Sequence, residues 1–456
     1  MGSWSIDDLS VWNDRIEKLA RKLGLDYYPQ EFEICDYNDM LGYQSYAGMP
    51  SRYPHWSFGK SFEMQKTMYQ YGVSGLAYEM VINSNPCLAY LMIDNGLSMQ
   101  VLTMAHVYGH NDFFKNNIHF RHTRAELALE MFKRHSERVR SYIEDPGIGY
   151  AKVERILDAA HSVSFQCDRN LLFNAGSDKI LVHDHAPEQE DRWAHLSFRE
   201  AREQKRPAPR LDQDLLGFII KHQPFLKDWE RDLLAIVREE SLYFIPQIET
   251  KIMNEGWASF WHYTILSRLN LPPQIHFDFL KSHNQVIRPH VGGLNPYHVG
   301  YVIFNHLAGS DGHKIEYDIN PEIFNIRKID RDSSFLRRFL TKELAQELFL
   351  FEYSKNDGST VISEVSDNGG WEKIRETMIS NVGINSIPII EVKEVTPKNE
   401  LILEHRHDNR DLEQKYLEKT LEYIHTLWGN NVLLDTRMDG NAVRFKCKNG
   451  KVSKLS

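Results

Sequence analysis

Apolar positions recur at helical spacing near the start of the chain: Ile6, Leu9, Val11, Ile16, Leu19 and Leu23 predict a helix over 5–24, which Gly24 ends. Residues 35–59, rich in Tyr, Gly, Pro and Ser, read as an ordered but irregular loop. Alternation predicts a strand over 75–82, and the apolar run 87–93 reads as helical after the Asn85-Pro86 break. From Ser98, Met99, Leu102, Val107 and Phe113 predict a buried helix that carries His106 and His110. An amphipathic helix over 124–143 follows, ending at Asp145-Pro146-Gly147. The polar stretch 168–210 reads as a surface excursion or lid. Helical patterns return over 214–221, 229–240 and 243–269, and the glycines and prolines of 288–300 predict a loop.

Beyond residue 340 the pattern changes. Strand-like runs at 348–353, 360–365, 387–395 and 401–406 alternate with helices at 371–379 and 412–428, and a hairpin over 432–447 closes the series. The fold class expected is α+β: a mainly helical domain over 1–340, then a smaller α+β domain over 341–456.

Composition narrows the function. The 456 residues are 42% hydrophobic and 12% aromatic, as in globular proteins, and the net charge of -9 with scattered basic residues argues against nucleic acid. Four separated cysteines without a CxxC pair fit a reducing cytoplasm, and no run is long enough to insert in a membrane.

The candidate chemistry sits in two segments. His106 and His110 are four apart, so on a helix their imidazoles share a face and can share a metal ion. With 21 histidines chance alone supplies roughly one such pair. The second segment adds Glu255 and His262, two turns apart on a helix otherwise lined by Trp257, Phe260 and Trp261, where both are costly to bury uncompensated. A buried Glu255–His262 hydrogen bond would be the structural explanation. The metal reading takes His106, His110 and Glu255 as ligands to a divalent ion, zinc first among them. His262 is then a ligand or a donor to the transition state. Val107 stands where gluzincin peptidases carry their general base, so Glu79, on the strand leading into this region, is the candidate base. Asn111, Asp112, Lys115, Asn116 and Asn117 would orient substrate, as would Tyr297. His276, His283 and His290 read as loop histidines, His405 and His407 as surface residues, and His183-Asp184-His185 as an adventitious site.

Three blocks, Tyr78-Glu79-Met80-Val81-Ile82-Asn83-Ser84-Asn85-Pro86-Cys87, the segment from Ala105 to Asn117, and Thr250-Lys251-Ile252-Met253-Asn254-Glu255-Gly256-Trp257-Ala258, resemble signature blocks of the SpoVR family, the stage V sporulation protein R group. Asp228-Trp229-Glu230, Tyr243-Phe244-Ile245-Pro246-Gln247, Asn295-Pro296-Tyr297 and Leu427-Trp428-Gly429 extend the likeness over nearly the whole chain. The resemblance implies a link to formation of the spore cortex, or to a stress response in bacteria that do not sporulate. It implies as partners a PrkA-like serine protein kinase and a YhbH/YeaH-like protein. It transfers no catalytic residue. A metal-dependent hydrolase and a non-catalytic scaffold acting with the kinase therefore both stand. A di-iron carboxylate bundle ranks behind them, for want of Glu-x-x-His motifs on the helices concerned.

Overall fold

The computed structural model describes residues 4–71, 79–167, 213–290, 293–309, 318–356 and 359–455. The 168–210 stretch, with His183 and His185, lies outside the described residues. The architecture is a helical N-terminal region followed by a sheet-containing α+β C-terminal domain. The chain divides into two compact units, one formed by Met1–Leu157 and Ile236–Ile387, the other by Asp158–Ala235 and Pro388–Ser456.

In the first unit the opening helix, Ile6–Lys22, starts in a capping box between Ser5 and Asp8 and buries Leu9, Trp12, Ile16 and Ala20 on one face. A three-stranded sheet follows: β1 (Gln30–Cys35), β2 (Glu79–Ile82) and β3 (Cys87–Met92). Its order is β1-β3-β2, with β3 parallel to β1 and antiparallel to β2, where Glu79 stands opposite Leu91.

This sheet corrects the sequence reading of 87–93 as a helix. Cys87, Leu88, Ala89, Tyr90 and Leu91 are all buried, and a strand covered on both faces carries the continuous apolar run that a buried helix also carries. Residues 35–59 are likewise not irregular throughout. Tyr37–Ser45 is a helix whose capping box joins Asp36 and Asp39, and another helix runs from Trp56 to Gln70. The expected loop over 288–300 gives way at Asn295, whose side chain caps the helix Pro296–Leu307.

Two helices form the centre of this unit. Leu97–Asn116 is buried on every side from Gln100 to Phe114, and Lys251–Arg268 is buried along most of its length. They lie against each other, and the second also packs on Pro296–Leu307. Glycines set these crossings. A Cβ on Gly109 would lie 2.6 Å from Ala258 Cα, and one on Gly256 would overlap the Gly300 backbone. Asp332 accepts from Ile252 N and Met253 N at 2.9 Å each, anchoring the start of Lys251–Arg268. Trp257, Phe260 and Trp261 pack with Phe304, Phe324 and Phe335 into the surrounding core.

The rest of this unit includes a hairpin of β4 (Phe351–Asn356) and β5 (Ser359–Val365) and the helix Gly370–Asn381. In the second unit β6 (Ile390–Val395), β7 (Leu401–His405), β8 (Val432–Met438), β9 (Asn441–Lys448) and β10 (Lys451–Leu455) form a sheet in the order β10-β9-β8-β7-β6. The parallel β7–β8 pair is joined through the helix Gln414–Trp428, which ends at Gly429 with φ +71°. His405 is buried there against Thr436, not on the surface.

Candidate metal centre

The two central helices and β2 bring four side chains together. One ligand atom each from Glu79, His106 and His110 lie within 4.8 Å of one another, a group that could hold a metal ion. Glu79 Oε1 is 3.4 Å from His106 Nε2 and 4.0 Å from His110 Nε2. Glu255 Oε2 lies 3.7 and 3.5 Å from the same two nitrogens. Both imidazoles therefore aim Nε2 at a space walled by two carboxylates.

What lies behind each imidazole matters as much. His110 Nδ1 is 2.9 Å from Asn254 Oδ1, a carbonyl oxygen that can only accept, so Nδ1 carries the hydrogen and Nε2 presents a lone pair. His106 Nδ1 is 2.8 Å from His262 Nδ1, and His262 Nε2 is 2.7 Å from His283 Nδ1. Tyr297 stacks beside His106 with ring centroids 6.0 Å apart, and Phe114 does the same for His110.

Three atoms at this centre, Glu79 Oε2, His106 Nε2 and Glu255 Oε2, are buried without a hydrogen-bond partner. Buried polar atoms are almost always satisfied, and two of these orphans, His106 Nε2 and Glu255 Oε2, face each other 3.7 Å apart. Burial, with Glu255 beside it, pushes the Glu79 carboxyl well above its ordinary value. Burial would raise Glu255 too, but the adjoining His106 and His110 imidazoles and Lys251 outweigh it and hold that carboxyl low. Burial lowers His106 to about 4, His283 to about 3 and His262 well below the usual imidazole range. The His106 side chain is fully buried, and Glu255, 18% exposed, is the most exposed of the four.

The other expected site residues have partners of their own. Asn111 bonds the Tyr28 backbone and Gln30, and Asp112 accepts from Asp26 N and Trp257 Nε1 and pairs with Arg327. Lys115 pairs with Asp26, Asn116 bonds the Asp26 and Asp112 carbonyls, and Asn117 bonds the Arg327 and Asp330 carbonyls. These five hold the Leu97–Asn116 helix to its neighbours. Of the expected substrate set, Tyr297 is the residue whose ring meets the imidazole cluster.

His283 corrects the sequence reading most sharply. It lies not in a loop but on the helix Pro273–Val286, 2% exposed, against His262. Pro272-Pro273 marks that helix's start and was the available signal, since proline suits the first helical turn. His290 is exposed, outside the helix.

A family model described as SpoVR like protein matches residues 3–387, and one described as SpoVR-like C-terminal domain matches residues 388–439. The chain belongs to the SpoVR family. Among its SpoVR relatives is the uncharacterized protein YcgB of Escherichia coli (strain K12), 33% identical over 97% of this chain and 94% of its own. No solved structure matches. The boundary between the two SpoVR models falls at 387/388, where the second compact unit resumes. Among the described residues, no helix is long and apolar enough to cross a membrane.

Proposed function

We propose that this SpoVR protein is a metal-dependent hydrolase whose divalent ion, zinc by its donor set, is held by His106, His110 and Glu255. The orphaned His106 Nε2 and Glu255 Oε2, with His110 Nε2 3.5 Å from that carboxylate oxygen, carry this reading. Two imidazoles and a carboxylate match the ligand number of catalytic zinc sites, which keep a further position open. Such an ion supplies Lewis acidity to a bound oxygen. The two carboxylates divide their roles by their environments. Glu255, held ionised, suits a ligand, whereas Glu79, with its proton affinity raised, suits the general base. His262 has both ring nitrogens engaged, so we assign it to hold His106 instead of reaching the ion. Tyr297 borders the space and is the substrate-facing residue of this proposal.

The family name supplies the setting, sporulation, and with it the proposal of a cytoplasmic protein acting in cortex formation beside a PrkA-like kinase and a YhbH/YeaH-like protein. Elemental analysis of freshly purified protein tests the chemistry. Near-stoichiometric metal is expected, lost in His110→Ala and Glu255→Gln and retained in Glu79→Gln. Metal lost in Glu79→Gln but kept in Glu255→Gln would exchange the two carboxylate roles. A metal-poor wild type, with His106→Ala unchanged in folding and phenotype, would sink the hydrolase reading and leave the scaffold.

A further inference from the structure

We propose that His106, His262 and His283 act as one hydrogen-bonded imidazole chain that, with an ion bound, holds His106 in its Nδ1–H tautomer, which makes His262 and His283 positioning residues for the metal site. This rests on the metal-site reading above.

The chain is short and dry. Its two inter-ring contacts measure 2.8 and 2.7 Å, and the three rings are 0%, 0% and 2% exposed. Each ring comes from a different helix: Leu97–Asn116, Lys251–Arg268 and Pro273–Val286. The rings of Phe279, Tyr263 and Tyr301 pack round His283, with centroids 6.2, 4.7 and 5.0 Å away. Such packing fixes ring orientation, and a fixed ring keeps its lone pair aimed.

Proton counting shows what the chain can do. Three neutral imidazoles carry three N–H groups on six nitrogens, and each contact needs one N–H and one lone pair. Only two arrangements keep both bonds. In the outward order His106 Nδ1–H donates to His262 Nδ1, His262 Nε2–H donates to His283 Nδ1, and His283 keeps its hydrogen on Nε2. His106 Nε2 is then a bare lone pair facing Glu79 and Glu255. In the inward order both bonds reverse, and His106 Nε2–H points at those carboxylates instead. A metal ion needs the lone pair, so binding selects the outward order. Passing from inward to outward, one proton leaves at His106 Nε2 and one is taken up at His283 Nε2, with no change in the charge of the chain. His110 needs no such chain, because Asn254 Oδ1 already dictates its tautomer.

The test is zinc affinity of the full chain, measured by competition with a chromophoric chelator, together with long-range 1H–15N spectra of 15N-histidine protein with and without zinc. His283→Leu removes the terminal acceptor and should weaken zinc binding about 10–100-fold. His283→Asn, whose side-chain oxygen replaces Nδ1, should stay within about threefold of wild type. The loaded wild type should show hydrogen on His106 Nδ1, His262 Nε2 and His283 Nε2. Unchanged affinity in a folded His283→Leu variant, or a different set of protonated nitrogens in the loaded wild type, would overturn the proposal. Should His283→Leu not fold, the wild-type spectra decide alone. A wild type that takes up no zinc ends the metal reading. The chain is then judged on the metal-free spectrum, where either of the two concerted orders supports it and any other set of protonated nitrogens overturns it.

Discussion

Asn254 and Glu255 are neighbours in sequence that serve opposite sides of one imidazole. Asn254 holds His110 from behind, and Glu255 stands in front of its Nε2. Removing the rear acceptor in Asn254→Ala should therefore weaken zinc binding by about tenfold or more, whereas Asn254→Asp, which still accepts, should keep most of it. Competition titration against a chelator separates the two variants. At this scale the sequence is legible where partners are local. His106 and His110 pair through helical spacing alone, and Glu255 attracts notice as a carboxylate among indoles. The support behind them is not legible, because His283 lies 177 residues from His106 and its partner His262 is on another helix. A lone histidine in an amphipathic segment has no local signature of its contact.

Between elements the decisive residues are small ones. Gly109 and Gly256 each sit next to a proposed ligand, and each marks a point where two helix backbones touch. Gly109→Ala and Gly256→Ala should cost about 1–3 kcal/mol or more in denaturant melts, through forced separation of the helices. Zinc affinity should fall with stability in both, since the ligands ride on the same helices. A sequence shows these glycines but not what crosses them, so Gly109 reads only as an odd residue before His110. The misreading of 87–93 has a similar origin, because burial on both faces erases the alternation that identifies a strand. A further inter-helix tie predicts pH dependence. His135, on Ala128–Glu144, meets Glu239 and Glu240 of Asp228–Glu249, and Arg52 pairs with Glu240. Burial alone would lower the His135 pKa, but the two carboxylates prevail and raise it. A raised histidine stabilises the fold fully below its unfolded value of about 6.5, and that contribution is lost as pH rises through the folded value. Wild-type melting temperature should thus decline on the alkaline side of neutrality more than that of His135→Gln, as thermal melts at stepped pH would register.

For the molecule as a whole, the ligand helices do not depend on an ion to come together. Trp257, Phe260, Trp261 and Phe304 pack them into a continuous apolar core, and Asp332 and Asp112 tie their ends to other helices. Stripping the metal should leave the protein folded with unchanged helical circular dichroism. At a hundredfold excess of free ion over the dissociation constant, the bound form gains about 2.7 kcal/mol, so chelation should lower melting by on the order of 5 °C. The coarse architecture was readable because helix-rich and strand-rich patterns segregate along the chain. The return of residues 158–235 to the second unit was not, since local periodicity carries no record of which distant segment it packs beside.

If the proposed ion is held here, a cage that stands complete before it arrives also changes how the ion is chosen. On the proposed metal reading the fold stabilises no one cation by requiring it for assembly, so the choice among divalent ions would rest on the nitrogen and oxygen donors and on supply. Protein purified from cells grown on zinc, manganese or iron should carry different occupants in one unchanged scaffold. On that reading zinc, favoured by the donor set, would still compete with whatever other divalent ions are supplied, and a change in supply would alter the occupant without any new synthesis.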